Sequence, residues 1–199
     1  MPKSSSGVRS SGATTSRRVA AFTSYQAALR YLDERPNFER VRRERIDADA
    51  FKLDRLRAIL DRLENPQRDL KFVHIAGSKG KGSTVEMLAS ALEACGYAVG
   101  VFTSPHLIDV RERIRIDGAP ISREVYLRSF WTVYGQLRAA GEAGGIEGYA
   151  PVRAIPGFFR FLFLLATHVF ISEGKQPFPP PSLVLTASAS LGADQHTLL

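Results

Sequence analysis

Apolar positions along the chain keep a helical period up to about residue 63 and then change to short continuous runs. Between Ser24 and Glu34, Tyr25, Ala28, Leu29 and Leu32 share one helical face, and Pro36 closes the segment. From about Asp49 to Leu63, Leu53, Leu56, Leu60 and Leu63 recur at three- and four-residue steps, which predicts a second amphipathic helix stopped by Asn65-Pro66. Phe72 to Ala76 then reads as a short buried strand. A helix over Ser83–Cys95 follows, ended by Gly96 in a left-handed cap, and Tyr97 to Phe102 forms the next strand. Strand, helix and strand in so short a span form a βαβ unit, which implies a parallel sheet covered by helices. Ligands of such sheets gather at the carboxyl ends of the strands, so the turn after the first strand and the loop Thr103–Leu107 are predicted neighbours. Arg113–Ile116, Asp117-Gly118 and Ala119–Ile121 read as a small hairpin, and Ser122 caps a helix reaching about Arg138. Residues 141–150 predict a glycine-rich mobile connector. Pro156 opens a buried helix over Phe158–Ile171, too short and too polar for a membrane span. Phe178–Pro181 reads as a stiff connector, and Ser182–Thr186 as a further strand.

The chemistry concentrates in Gly77-Ser78-Lys79-Gly80-Lys81-Gly82-Ser83-Thr84, between the first strand and its helix. Glycines let backbone N–H groups turn inward around an anion, and a helix N-terminus adds a partial positive charge. Lys81 supplies a full charge for terminal phosphates, and a hydroxyl can meet Mg²⁺. The spacing departs from the common G-x-x-x-x-G-K-[ST] loop, because Gly82 follows Lys81. The residues alone point to a nucleoside triphosphate; the bland alternative is a glycine-rich turn.

Charge changes the picture little. The net charge is +7, but Lys3, Arg9, Arg17 and Arg18 supply four of those charges from the first twenty residues, which hold no acid. Those residues read as a disordered basic tail, and between Arg30 and Arg62 acids and bases interleave as on a solvated helix surface. No nucleic-acid or membrane partner is expected. Cys95 is the single cysteine, so no disulfide forms within the chain, and it reads as a small core residue in a cytoplasmic protein. His168, within the last apolar helix, reads as a satisfied core or edge histidine.

From about Tyr25 to Ile121 the chain resembles the folylpolyglutamate synthase/dihydrofolate synthase family of the Mur ligase superfamily. The resemblance rests on Phe51-Lys52-Leu53-Asp54-Arg55-Leu56, Asn65-Pro66-Gln67, His74-Ile75-Ala76-Gly77 with Gly80-Lys81-Gly82-Ser83-Thr84, Gly96-Tyr97, Phe102-Thr103-Ser104-Pro105-His106-Leu107 and Glu112-Arg113-Ile114. The family's phosphate loop carries the extra glycine after lysine; Lys79 stands where it usually has Asn. The resemblance implies ATP-dependent ligation of L-glutamate to dihydropteroate or folate through an acyl phosphate, with ATP and Mg²⁺ as cofactors and a monomeric intact protein. By the family pattern Lys81 is catalytic and residues 77–84 bind ATP. Ser104 is then a metal ligand with Ser83 near it, and Pro105, His106 and Arg113 face substrate. The alternative for His106 is a loop-anchoring hydrogen bond. For Glu112 and Arg113 it is a surface ion pair.

After Ile121 the match decays. Pro156-Gly157-Phe158-Phe159-Arg160 is similar to the family's T-F-F-E start with its acid replaced, and the metal-binding glutamate of E-V-G-L-G-G-R-L-D has no counterpart. His196 is a candidate metal ligand by its faint likeness to a T-S-x-x-x-D-H-T motif. The expectation is an α/β chain with a phosphate-loop-type parallel sheet flanked by helices: a tail over 1–20, then a partial ATP-binding domain over 21–199 without the C-terminal ligase domain, with little turnover by itself. The competing readings are a small phosphate-loop kinase or NTPase, and a non-catalytic nucleotide-binding module.

Overall fold

The computed structural model describes residues 24–35, 37, 54–142, 156–172 and 183–187. The basic tail, Phe51-Lys52-Leu53, residues 143–150, Phe178–Pro181 and His196 lie outside them.

Helix α1 spans Tyr25–Asp33 and begins where Ser24 Oγ accepts the Ala27 amide at 3.3 Å. Helix α2, Asp54–Arg62, buries Leu56, Ile59 and Leu60. It stops because Glu64 and Asn65 adopt left-handed backbone angles ahead of Pro66, which opens a 3₁₀ turn, Pro66–Asp69. Strand β1, Phe72–His74, leads into helix α3, Lys81–Ala94, and strand β2, Val99–Thr103. A second 3₁₀ turn, Val110–Arg113, precedes strands β3, Ile114–Ile116, and β4, Ala119–Pro120. Helices α4, Arg123–Glu142, and α5, Phe158–Ser172, follow, and strand β5, Leu183–Ala187, completes the sheet.

The five described strands run in the order β1-β5-β2-β3-β4. β5 is parallel to both neighbours, pairing Val73 with Leu185 and Val101 with Leu185, whereas β3 and β4 add antiparallel. The sheet is therefore mixed, and β1 and β2 are not adjacent as a minimal βαβ unit would make them. A helix about 10 Å across covers two strand spacings of about 4.8 Å, so α3 can cross over with one strand position left between its flanking strands. The apolar run Leu183-Val184-Leu185 fills that position, with Val184 and Leu185 wholly buried.

Alternation along the strands divides the core. Val99, Val101, Leu185 and Ala187 pack with Val85 and Ala89 of α3 on one face. Phe102 and Val184 face the larger cluster on the other, shared by α1, α2, α4 and α5. At its centre Phe130 lies 5.0 Å from the Phe161 ring and 5.8 Å from Tyr31. The hairpin turn uses Asp117 and Gly118, both with positive φ, and Asp117 Oδ1 accepts the Val99 amide at 2.8 Å.

Two expectations change. Helix α3 begins at Lys81 rather than Ser83, because Gly80 at φ 75 takes the cap position. Cys95 is exposed rather than in the core: it is the C-cap residue of α3, where the left-handed Gly96 turns the chain away. His168 keeps the edge position expected of it, its Nδ1 3.4 Å from Ser172 Oγ. No helix among the described residues is long and apolar enough to cross a membrane.

Candidate functional site

β1 delivers the chain to the glycine turn. The Ile75 amide donates to the Thr186 carbonyl at 2.8 Å, and His74 Nδ1 lies 2.8 Å from Thr186 Oγ1, so interior strand β5 fixes the base of the loop. The chain then passes through Gly77 at φ 153 and Gly80 at φ 75, values that favour glycine. Gly80 caps α3 without any side chain, so no side chain satisfies the first-turn amides. The first turn of α3 holds no acid, and a Cβ built on Gly80 or Gly82 would meet nothing within 4 Å. Positive helix end, open space and lysine together make a site for an anionic group. Lys81 Nζ donates to the Gly77 carbonyl, and Thr84 Oγ1 to the Gly80 carbonyl at 3.0 Å. Ser78, Lys79, Gly82, Ser83 and Thr84 are exposed.

The loop after β2 leaves the same carboxyl edge, two strand spacings or roughly 10 Å across the sheet. It opens with Ser104, half-buried, and exposed Pro105, joined by a cis peptide bond. Leu107 and Ile108 stand 91% and 93% exposed. Glu112 gathers three amides of this loop: Leu107 N at 2.7 Å, Ile108 N at 3.0 Å and Asp109 N at 2.7 Å. Those backbone donors, Leu107 and Asp109 foremost, hold its carboxyl below the usual glutamate range.

Asp109 caps the 3₁₀ turn and forms a capping box with Glu112. Its Oδ1 accepts from Tyr25 Oη at 2.7 Å and Arg111 Nε at 3.1 Å, and its Oδ2 from Arg111 Nη2 at 3.0 Å. Arg111 Nη1 continues to the Ile121 carbonyl at 3.1 Å. Burial alone would raise the Asp109 carboxyl; hydrogen bonds from the Arg111 side chain and amide and from Tyr25 outweigh it and bring it to about 2. Burial and the Asp109 carboxylate push the Tyr25 hydroxyl up in turn.

A carboxyl held below its unfolded value stabilises the fold above that value, and the contribution disappears as pH falls through the folded value. The Asp109 contribution is thus complete above about pH 4 and lost on the way down to about pH 2. Asp109→Asn should flatten the acid limb of stability in that window, read as the thermal midpoint against pH. An unchanged limb would remove Asp109 as its cause.

Arg113 is 2% exposed, and its Nε donates to His106 Nδ1 at 2.7 Å. Because a guanidinium only donates, His106 accepts at Nδ1 and carries its proton on Nε2. The Arg113 guanidinium also lies 5.3 Å from the Phe158 ring centroid. The surface ion pair of Glu112 with Arg113 is therefore overturned: one carboxylate holds loop amides, and the guanidinium is buried beneath the loop. His106 takes the loop-anchoring bond. Arg113 does not stand open to solvent.

The described side chains hold no group of three or more His, Cys, Asp or Glu able to bind a metal. Ser83 and Ser104 offer neutral hydroxyls, which suit a hard cation that already carries phosphate oxygens. Sequence reasoning missed Tyr25, Asp109 and Arg111, although the D-x-x-E spacing of Asp109 and Glu112 is a capping-box signal.

No family model matches the chain. It is 39% identical over 156 residues to the mitochondrial folylpolyglutamate synthase of Cricetulus griseus, covering 75% of this chain and 25% of that protein. It is 45% identical over 115 residues to a folylpolyglutamate synthase of Arabidopsis thaliana, covering 58% and 17%. Among solved structures it is similar to Mycobacterium tuberculosis folylpolyglutamate synthase complexed with ADP and AMPPCP, at TM-score 0.62 and 26% identity, over 85% of this chain and 31% of that one. The Thermotoga maritima folylpolyglutamate synthase gives TM-score 0.62 and 28% identity over 82% and 32%. The chain spans about a quarter of the length of the curated relatives it matches. By sequence and by fold, it is homologous to a part of the folylpolyglutamate synthases.

Proposed function

We propose that the chain binds ATP through Gly77–Thr84 and a pteroyl substrate beside Thr103–Arg113, and that it serves ATP-dependent ligation of L-glutamate to dihydropteroate or folate. The observation that carries this reading is placement. A glycine-capped, acid-free helix end and a loop bearing Ser104 leave one carboxyl edge of parallel strands two positions apart. The named relatives, and the solved relative that holds ADP and AMPPCP, support it.

In this reading Lys81 exchanges the Gly77 carbonyl for β- and γ-phosphate oxygens. The amides of the first α3 turn take the remaining phosphate charge, which grows at the oxygens during transfer. The substrate carboxylate becomes an acyl phosphate; the glutamate amine attacks it, and an amide, ADP and phosphate leave. Ser83 and Ser104 are the hydroxyls that would hold Mg²⁺, which would supply neutralisation of the phosphate charge. His106, held at Nδ1 by Arg113, borders the substrate side of the loop with Pro105 beside it. A reducing cytoplasmic site of action would keep the exposed Cys95 thiol from pairing between chains, in line with a monomeric intact protein.

Calorimetric titration with AMPPCP and Mg²⁺, followed by folate, tests the reading. Nucleotide binding and then nucleotide-dependent folate binding are expected. Nucleotide binding without folate binding would leave an NTPase-like module and remove the ligase reading; no binding of either removes both.

A further inference from the structure

We propose that Glu112 is the positioning residue of the loop Ser104–Asp109: its carboxylate fixes the backbone of Leu107, Ile108 and Asp109 and so holds the loop in the shape that receives the pteroyl ligand. This rests on the function proposed above and adds a role that the sequence reading, a surface pair with Arg113, does not contain.

Three consecutive amides converge on one carboxylate, at 2.7, 3.0 and 2.7 Å. A capping box needs only the last of them. The two extra bonds fall on the two residues whose apolar side chains stand almost wholly in water. A loop free to relax would turn Leu107 and Ile108 inward, because apolar surface left in water is unfavourable. The carboxylate opposes that turn by giving their amides a charged acceptor, the stronger kind of hydrogen bond. The neighbouring anchors act elsewhere: Asp109 ties the foot of the loop to Tyr25 and Arg111, and Arg113 ties His106 from beneath. Among the described hydrogen bonds, only those to Glu112 reach the amides of 107 and 108. The carboxylate itself sits at the surface and touches neither Lys81 nor the glycine turn in any described bond, so it acts on the ligand through the loop.

Glu112→Ala removes all three bonds, and Glu112→Gln keeps the length and one carbonyl oxygen. Amide hydrogen exchange at 107–109 should speed up by about tenfold or more in the alanine variant and less in the glutamine variant, as expected for losing charged acceptors. Exchange in β2 should stay as it is. Folate affinity in the presence of AMPPCP should fall in the same order, by about tenfold for alanine, while AMPPCP affinity alone does not change. A general loss of fold would instead move the β2 amides and nucleotide affinity together. Unchanged exchange at 107–109 overturns the clamp. Faster exchange with unchanged folate affinity reduces it to a local structural cap and overturns the positioning role. If the unaltered chain binds AMPPCP but no folate, the proposed function itself has failed, and the exchange data still decide whether the clamp exists.

Discussion

Lys81→Ala is expected to weaken AMPPCP binding by roughly ten- to a hundredfold, since a charged hydrogen-bond partner contributes about 1.5–3 kcal/mol. The thermal midpoint should hold. The Lys81 side chain contributes one described hydrogen bond, to the Gly77 carbonyl, and forms no part of either buried cluster. Its loss removes a cation from the first turn of a helix that holds no acid there and leaves Lys79 as the other lysine of the glycine turn. Calorimetry with AMPPCP and a melt of the same preparation separate the two effects. Affinity equal to the parent's would mean that the amides of the first turn hold the anion by themselves. A fall in midpoint alongside affinity would mean that the lysine also shapes the loop.

Phe130→Ala is expected to lower unfolding free energy by about 3–5 kcal/mol, the usual cost of emptying an aromatic core site. Phe130 is wholly buried and meets Tyr31 of α1, Tyr134 of its own helix and Phe161 of α5. No single element can move in to fill the gap, because each of these rings is held by a different helix or a different turn. Domains of this size carry only about 5–15 kcal/mol in total, so the loss takes a large share. Urea unfolding followed by circular dichroism gives the number. A loss below about 1 kcal/mol would show that α4 and α5 collapse onto the cavity and that the aromatic stack is not the keystone of this face.

Much of this architecture is legible along the chain because its signals are local. Ser24, Asn65-Pro66, Gly80, Gly96 and Asp117-Gly118 act on their own backbone, and each marks a boundary within a few residues of where the structure puts it. The glycine turn is legible for the same reason: Gly77 and Gly80 need positive φ, and Lys81 follows directly. Strand order is not local. Nothing in Phe72–Phe102 says that Leu183–Ala187 enters between the two strands it encodes, since that placement depends on the width of a helix set against the spacing of strands. The loop anchors were hidden differently. Glu112 and Arg113 are neighbours of opposite charge, which reads as a surface pair. Successive residues of a tight 3₁₀ turn point in different directions, so one meets loop amides and the other goes under His106. Tyr25 and Asp109 are 84 positions apart, a separation across which sequence pattern alone carries no information.

The strand that joins β1 to β2 is the last described segment to leave the ribosome. Val73 and Val101 both find their partner in Leu185, and the glycine turn hangs from Thr186, 112 positions after His74. The glycine turn is therefore written early in translation but cannot be anchored until Leu183–Ala187 has emerged, more than a hundred positions later. Until then β1 and β2 wait with unpaired edges, a stage at which a nascent chain needs chaperone cover against sticking to its neighbours.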